Sequence, residues 1–419
     1  MNRLRRLSLS VFLLIFFCSS LCGCGGAPAK RLPILDTVVS GTMETRAGLP
    51  VLYLHGSYYA MGYQHGSLMR SRIRASVAEA LKFADRQGKL PLIGTWMARN
   101  KLDAAWNAMR PHIPDSYLEE MEGLADGAAV PLKLIQRMHV IADLAPVRGS
   151  FFAVNRSMTL DGKLIQAHNL ESGIQSDGIK NAAIFVCHPK GRTPFVGFGW
   201  LGFAGVVSGV NSKGISASVI GAESLEESLS GVPVPFLVRR VLEESADLET
   251  AVAFVRQGPR TIGYHYLFSD LKTGQAVALE TTNQQCAIFY LDKPRAAQSY
   301  GLAVSDALFR SEFALDPSVR AKQTDCDGDP EKPGLESPLR SYGYAIRYAG
   351  LASLLKRFSG QLTPESAMAV AGAVTAPSNS QSVIINYPRA WIALRGRKKS
   401  SYRPLDLEVL FKNDSAYSL

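Results

Sequence analysis

Three groups of residues in this chain have types and spacings that could do chemistry. Near the start, Leu21, Cys22, Gly23 and Cys24 follow an apolar run. That is the order of a lipobox, in which a thiol, here Cys24, is acylated and heads the mature protein. Further on, DCDGDPEKPGLE sets Asp325, Asp327, Asp329 and Glu336 at the offsets of a calcium-binding hand. Such a hand turns sharply on a glycine at its sixth position, where this chain has Pro330. The acids therefore read as a solvated loop, and no metal or cofactor is expected. Third, His55 and His65 flank a glycine-rich turn and read as structural. A G-x-S-x-G elbow and an H-E-x-x-H zinc helix are both missing from the sequence.

The residues before the lipobox explain how its thiol would reach a membrane. Arg3, Arg5 and Arg6 precede an apolar run from Leu7 to Phe17, which is the build of a signal peptide. That run is too short to remain as a permanent span. Residues 1–23 are expected to be removed, leaving 24–49 as anchor and linker in a bacterial cell envelope, held by acyl chains. Their loss takes three arginines and no acids from a formal charge of +10, leaving +7. Much of the excess sits in Arg395, Arg397, Lys398, Lys399 and Arg403, and residues 397–419 read as a basic polar tail. Such a tail suits anionic headgroups. Nucleic acid is not expected as a partner, since no binding motif accompanies the charge. Cys187, Cys286 and Cys326 are too widely spaced for a disulfide framework or a Cys-x-x-Cys metal pair, and the first two read as small buried strand residues.

Any catalytic side chains must be positioned by the elements that the apolar periodicity implies. VLYLHGS alternates as a strand, and helical patterns then run through YYAMGYQHGSLMRSRIRASVAEALKFADRQ to PLKLIQRMHVIADLA. From Ser150 short strands take over (FFAVNRSMT, GKLIQAHNL, NAAIFVCHP, PFVGFGW, AGVVSGVN, GISASVIG), divided by the turn signals DGK, KGR and NSKG. Helices return in VPFLVRRVLEESADLETAVAFVRQ and RYAGLASLLKRF, and strands in HYLFSDLKTGQAVALETT, QCAIFYLD, QSVIINY and AWIALRG. This order implies an α+β layered domain over residues 50–396 containing an antiparallel sheet, with residues 314–342 as a surface excursion.

Several of these segments together resemble one family. HGSYYAMGYQHGSLMR, IPDSYLEEMEGLADGAAV, FAVNRSMTLDGKLIQAHNLE, SGVNSKGISASV, VPFLVRRVLEES with LFSDLKTGQAVALE, and RYAGLASLL with SVIINYPRAWIALRG occur in the family's order. The family is that of acyl-coenzyme A:6-aminopenicillanate acyltransferase and its bacterial relatives, N-terminal nucleophile (Ntn) hydrolases akin to bile-salt hydrolases. The resemblance implies a four-layer αββα fold with a helical N-terminal part. It also implies a precursor that cuts itself, so that one residue supplies both nucleophile and, through its freed α-amine, the base. An amine with a pKa of about 7.7 to 8 suits that task near neutral pH.

The resemblance places the nucleophile after a glycine, where this chain reads Arg148, Gly149, Ser150, Phe151 and Phe152 and has no cysteine. Matching the glycine makes Ser150 the nucleophile, with cleavage between 149 and 150. Counting back from Phe152 without a gap puts Gly149 there, and glycine cannot attack anything. The family's Gly-Arg-Asn-x-Asp motif falls on Ala167, His168, Asn169, Leu170 and Glu171, so His168, Asn169 and Glu171 are either the amine- and substrate-holding group or ordinary strand residues. Asn211 stands as a substrate contact or a turn-former, and Arg347 as a substrate contact or a structural residue. Gly221 falls where relatives carry an oxyanion-hole asparagine, leaving only its backbone N–H for that role. Two functions follow: an envelope-anchored amidohydrolase or acyltransferase that acts on a small acylated amide or ester through a Ser150 acyl-enzyme, or a silent member that binds a ligand or envelope component.

Overall fold

The computed structural model describes residues 41–87, 93–144, 147–171, 178–293, 302–323, 339–376, 378–394 and 401–412. The chain begins with strands β1 (Thr42–Arg46) and β2 (Leu49–Gly56). Five helices follow: α1 (Tyr58–Leu68), α2 (Arg70–Gln87), α3 (Ile93–Met109), α4 (Asp115–Ala128) and α5 (Leu132–Leu144). Strands β3 (Arg148–Val154), β4 (Ile165–Glu171), β5 (Ala182–Pro189), β6 (Phe195–Trp200), β7 (Ser208–Asn211) and β8 (Ile215–Gly221) come next. Helices α6 (Val234–Glu244) and α7 (Leu248–Gln257) then lead to β9 (Tyr264–Asp270), β10 (Gln275–Thr281), β11 (Cys286–Tyr290) and β12 (Ala307–Arg310). The last elements are α8 (Pro317–Arg320), α9 (Leu339–Arg357), α10 (Pro364–Ala373), β13 (Asn379–Asn386), β14 (Arg389–Leu394), β15 (Arg403–Asp406) and α11 (Leu407–Lys412).

The strands form two sheets, one of nine in the order β1-β2-β5-β6-β7-β8-β9-β10-β11 and one of six in the order β12-β3-β4-β13-β14-β15. Because side chains alternate across a strand, each sheet presents two apolar faces that must be covered. Leu52, Leu54, Val219, Tyr266 and Leu279 of the larger sheet bury against Met61, Tyr117, Met121, Phe236 and Val241 of the helices before and after it. Its other face, with Val51, Ile184, Val186 and Phe198, packs on Val383, Ile385 and Ile392 of the smaller sheet. Tyr348, Leu351, Leu355, Val370 and Ala371 of α9 and α10 belong to the core that covers the far side of the smaller sheet. The result is the expected four-layer αββα sandwich, with an α-helical front part.

Two features hold the helical layer together. Helices α1 and α4 cross at backbone distance: a Cβ added at Gly62 would sit 2.0 Å from the Glu120 carbonyl, and one at Gly123 would sit 2.1 Å from that of Tyr59. Beside this crossing lies the fully buried Arg239 of α6. Its Nη1 and Nη2 reach the Glu120 carboxylate at 2.9 and 2.5 Å, and its Nε reaches Glu243 at 2.7 Å. Tyr58 and Tyr117 donate their hydroxyls to the other Glu243 oxygen at 2.8 and 2.9 Å. Nearby, His65 Nε2 accepts from the Gly202 amide, and burial pushes its pKa down to about 3. His55 exchanges two backbone hydrogen bonds with the Gln64 amide, so both histidines of the glycine-rich turn are engaged in structure.

Several expectations need correction. The sheet is not wholly antiparallel, because β2 and β5 pair in parallel, as a long crossover through the helices and the other sheet permits. The domain does not end at 396. β15 pairs with β14, and Leu407 and Leu410 of α11 enter the inter-sheet core, so part of the expected tail is folded. At the other end β1 lies inside the expected linker and pairs with β2. The first residues of the expected excursion belong to the core, since Ala314, Leu315 and Val319 are buried. Cys187 is buried, whereas Cys286 is only partly so. Cys24 with its signal peptide, Cys326, and the acidic loop from Asp325 to Glu336 lie outside the described residues. Among those described, no helix is long and apolar enough to cross a membrane, and no group of three or more potential ligands could hold a metal.

Candidate functional site

Strands β3 and β4 run antiparallel with Arg148 opposite Glu171, Gly149 opposite Leu170, Ser150 opposite Asn169 and Phe151 opposite His168. Alternation therefore puts Ser150 and Asn169 on one face and Phe151 and His168 on the other. The first face looks toward α10: the Asn169 amide donates to the Ser150 hydroxyl at 3.1 Å and to the Ala371 carbonyl at 2.8 Å, and its oxygen accepts from Ser382 at 2.7 Å. The second face looks between the sheets, where His168 Nε2 donates to the Val219 carbonyl at 3.1 Å. Burial pushes the His168 pKa down to about 4, so the ring is neutral near pH 7. Ser150 and His168 thus stand on opposite sides of one sheet.

Arg347, Glu171 and Gly149 come together, joined by a residue that the motifs do not indicate, Glu312. Arg347 Nη1 lies 3.1 Å from Glu171 Oε1, 3.1 Å from Glu312 Oε1 and 3.2 Å from the Gly149 carbonyl. Glu312 Oε1 also accepts from the Gly149 amide at 3.1 Å, and Glu171 Oε1 accepts from the Ala376 amide at 3.2 Å. Both sides of the Gly149 residue are thereby held, its N–H by a carboxyl group and its C=O by a guanidinium. Burial pushes the Glu312 pKa up to about 7 against the opposing pull of Arg347, and Glu171 adds to the rise. Glu312 lies 163 positions from Gly149 in a segment with no periodic signal.

Gly149 itself is cramped. Its φ is +150°, a conformation that L side chains rarely adopt, and a Cβ there would lie 1.9 Å from the Asn169 carbonyl oxygen and 3.4 Å from Ile220. No real Cβ approaches that closely without displacing the strand. The direction toward Ile220 is the inter-sheet side, the side that His168 also faces.

The remaining sequence candidates fall away from this centre. Asn211 is fully buried, and its amide nitrogen donates to the Leu242 and Ser245 carbonyls while its oxygen accepts from the Lys213 and Ile215 amides. All four hydrogen-bonding positions are filled by the chain, so Asn211 ties the β7–β8 turn to the end of α6 and is not a substrate contact. The Gly221 amide, the possible oxyanion donor, is already given to the Val147 carbonyl. His168 and Glu171 are both buried.

Residues 161–298 match the family model described as acyl-coenzyme A:6-aminopenicillanic acid acyltransferase. The chain resembles that family. The matched stretch runs from the β3–β4 turn past β11 and so contains His168, Asn169, Glu171 and Asn211. Among curated proteins the chain is 22% identical over 262 residues to protein dcd1B of Dictyostelium discoideum, covering 58% of this chain and 52% of that one. It is 24% identical over 325 residues to dcd1A of the same organism, covering 69% and 73%. The chain thus spans about half the length of the first of these relatives. Among solved structures, an N-acylethanolamine-hydrolyzing acid amidase ortholog of Caenorhabditis elegans has 15% identity and a TM-score of 0.40, covering 57% of this chain and 94% of that one. A penicillin V acylase of Agrobacterium tumefaciens has 12% identity and a TM-score of 0.36, covering 62% and 86%.

Proposed function

We propose that this chain is a lipid-anchored envelope member of the acyltransferase-like family that remains one uncut polypeptide and acts by binding, not by acyl transfer. The reading rests on the Asn169 carbonyl filling the place that a side chain at position 149 would need. Arg347, which pairs with Glu171, donates to the Gly149 carbonyl, so these charged residues meet a position that carries no nucleophile. The neighbouring hydroxyl, Ser150, is buried on the α10 side, with the Asn169 amide as its partner there. In the uncut chain, where no free α-amine exists, an amide donor cannot take the proton that Ser150 must lose to attack the Gly149 carbonyl.

One observation favours the second reading, a Ser150 acyl-enzyme acting on a small acylated amide or ester without a cofactor. The Arg347 guanidinium donates to the Gly149 carbonyl, which is the group Ser150 would attack in self-cleavage, and a cation there stabilises a developing oxyanion. Intact-mass measurement of the purified mature protein separates the two. A single polypeptide beginning at an acylated Cys24 is expected. Two chains meeting at Gly149 and Ser150 would establish the hydrolase and end the binding proposal.

A further inference from the structure

Glu171, Arg347 and Glu312 are three charged groups with little exposure, their side chains 6%, 13% and 2% accessible. They come from three separate parts of the fold: β4, α9 and the segment just after β12. One guanidinium nitrogen serves both carboxyl groups at 3.1 Å, so the fully ionised cluster carries one negative charge in excess. Among the described residues the neighbouring cations are engaged elsewhere. Arg310 is committed to Glu280 at 2.5 Å, and Arg148, opposite Glu171 in the ladder, pairs with Glu223. His265 of β9 lies against the Glu312 backbone and beside Glu280, but burial and Arg310 hold its pKa down to about 4, which keeps it neutral near pH 7. The excess is most simply removed by one proton on the carboxyl pair.

We propose that Glu171, Arg347 and Glu312 form a proton-dependent latch that ties α9, β4 and the β12 segment to the Gly149 peptide, and that opening it at mildly acid pH releases one proton. The inference is independent of whether the chain is catalytic. When closed, the buried Glu312 keeps its proton to about pH 7. When open, its carboxyl returns to an ordinary solvated value of about 4.3. Between those limits the open state binds fewer protons than the closed one, so raising the pH favours opening by about tenfold per unit, and above about pH 7 the gain stops. For a protein exposed to the pH of an envelope compartment, this is a local response at one site.

The test is hydrogen exchange by mass spectrometry on the intact chain at pH 5, 6, 7 and 8, corrected for the intrinsic pH dependence of exchange. Wild-type peptides covering β3 and the part of α9 around Arg347 should lose protection about tenfold per unit from pH 5 to 7 and then level off. Glu312→Gln keeps the shape and cannot ionise, so its profile should be flat. In Glu171→Gln the repulsion on Glu312 is gone and the levelling point should move to lower pH, a shift that a purely structural role would not produce. Asp143→Asn removes the other strongly perturbed buried carboxyl and should leave the β3 response intact. A flat wild-type profile, an unchanged response in Glu312→Gln, or its loss in Asp143→Asn would each overturn the latch.

Discussion

Replacing Gly149 by alanine puts the cramped start of β3 to a direct test. The added Cβ would begin 1.9 Å from the Asn169 carbonyl oxygen and 3.4 Å from Ile220. Relief needs a displacement of more than an ångström between β3 and β4, in a place where Glu312 and Arg347 hold the Gly149 N–H and C=O. A non-glycine residue kept at so unusual a φ costs on the order of 1–3 kcal/mol. Overpacking in a close-packed interior adds roughly 1–3 kcal/mol. The expected loss is therefore about 2–6 kcal/mol, or roughly 3–8 °C in melting temperature for a domain of this size. Urea denaturation followed by circular dichroism measures it, with Ser150→Ala as the control. That control gives up one neutral hydrogen bond while Asn169 keeps Ala371, so it should cost only about 1 kcal/mol. If Gly149→Ala matched the wild type within about 0.5 kcal/mol, position 149 could accept a side chain, and the structural reason for an absent nucleophile would be gone.

Two further outcomes concern the buried charges elsewhere. Arg239→Met should destabilise by about 3–5 kcal/mol, because Glu120 and Glu243 would be left buried without their cation. The triple variant Arg239→Met with Glu120→Gln and Glu243→Gln should recover much of that loss in the same denaturation assay, and no recovery would mean that the cost is one of packing. For Asp143, burial lifts the folded pKa to about 7 from an ordinary 3.8, against the pull of hydrogen bonds from Thr261 and Val234. A raised carboxyl pKa means that the folded state holds its proton longer, so this group favours folding at low pH and its contribution is lost as pH rises from about 4 to about 7. Asp143→Asn should then be more stable than wild type at pH 8, by at most about 4 kcal/mol, and nearly equal to it at pH 4. A stability difference independent of pH would refute the assignment.

Local patterns in the sequence determined a large part of this fold. The turns DGK, KGR and NSKG lie between β3 and β4, β5 and β6, and β7 and β8, because turn chemistry acts over a few residues. The helices α4, α5, α6 and α7 follow from apolar periodicity, which likewise needs no partner. The ordered motifs led to a family that the match over residues 161–298 agrees with. Helix α10 has no place in that reading, and the Thr363–Ser366 capping box that starts it is seen only in the structure. Tertiary structure alone decided which residues meet. Periodicity of two says that Ser150 and Phe151 differ in face, and likewise His168 and Asn169, but not which face meets α10 and which meets the other sheet. Nothing near Glu312 announces that it will hold Gly149, and Asn211 read alone gives no sign that the chain itself fills every one of its hydrogen bonds. Such contacts depend on the register between strands and on how sheets and helices stack, and these are set by burial summed over the whole domain, which no short window of sequence contains.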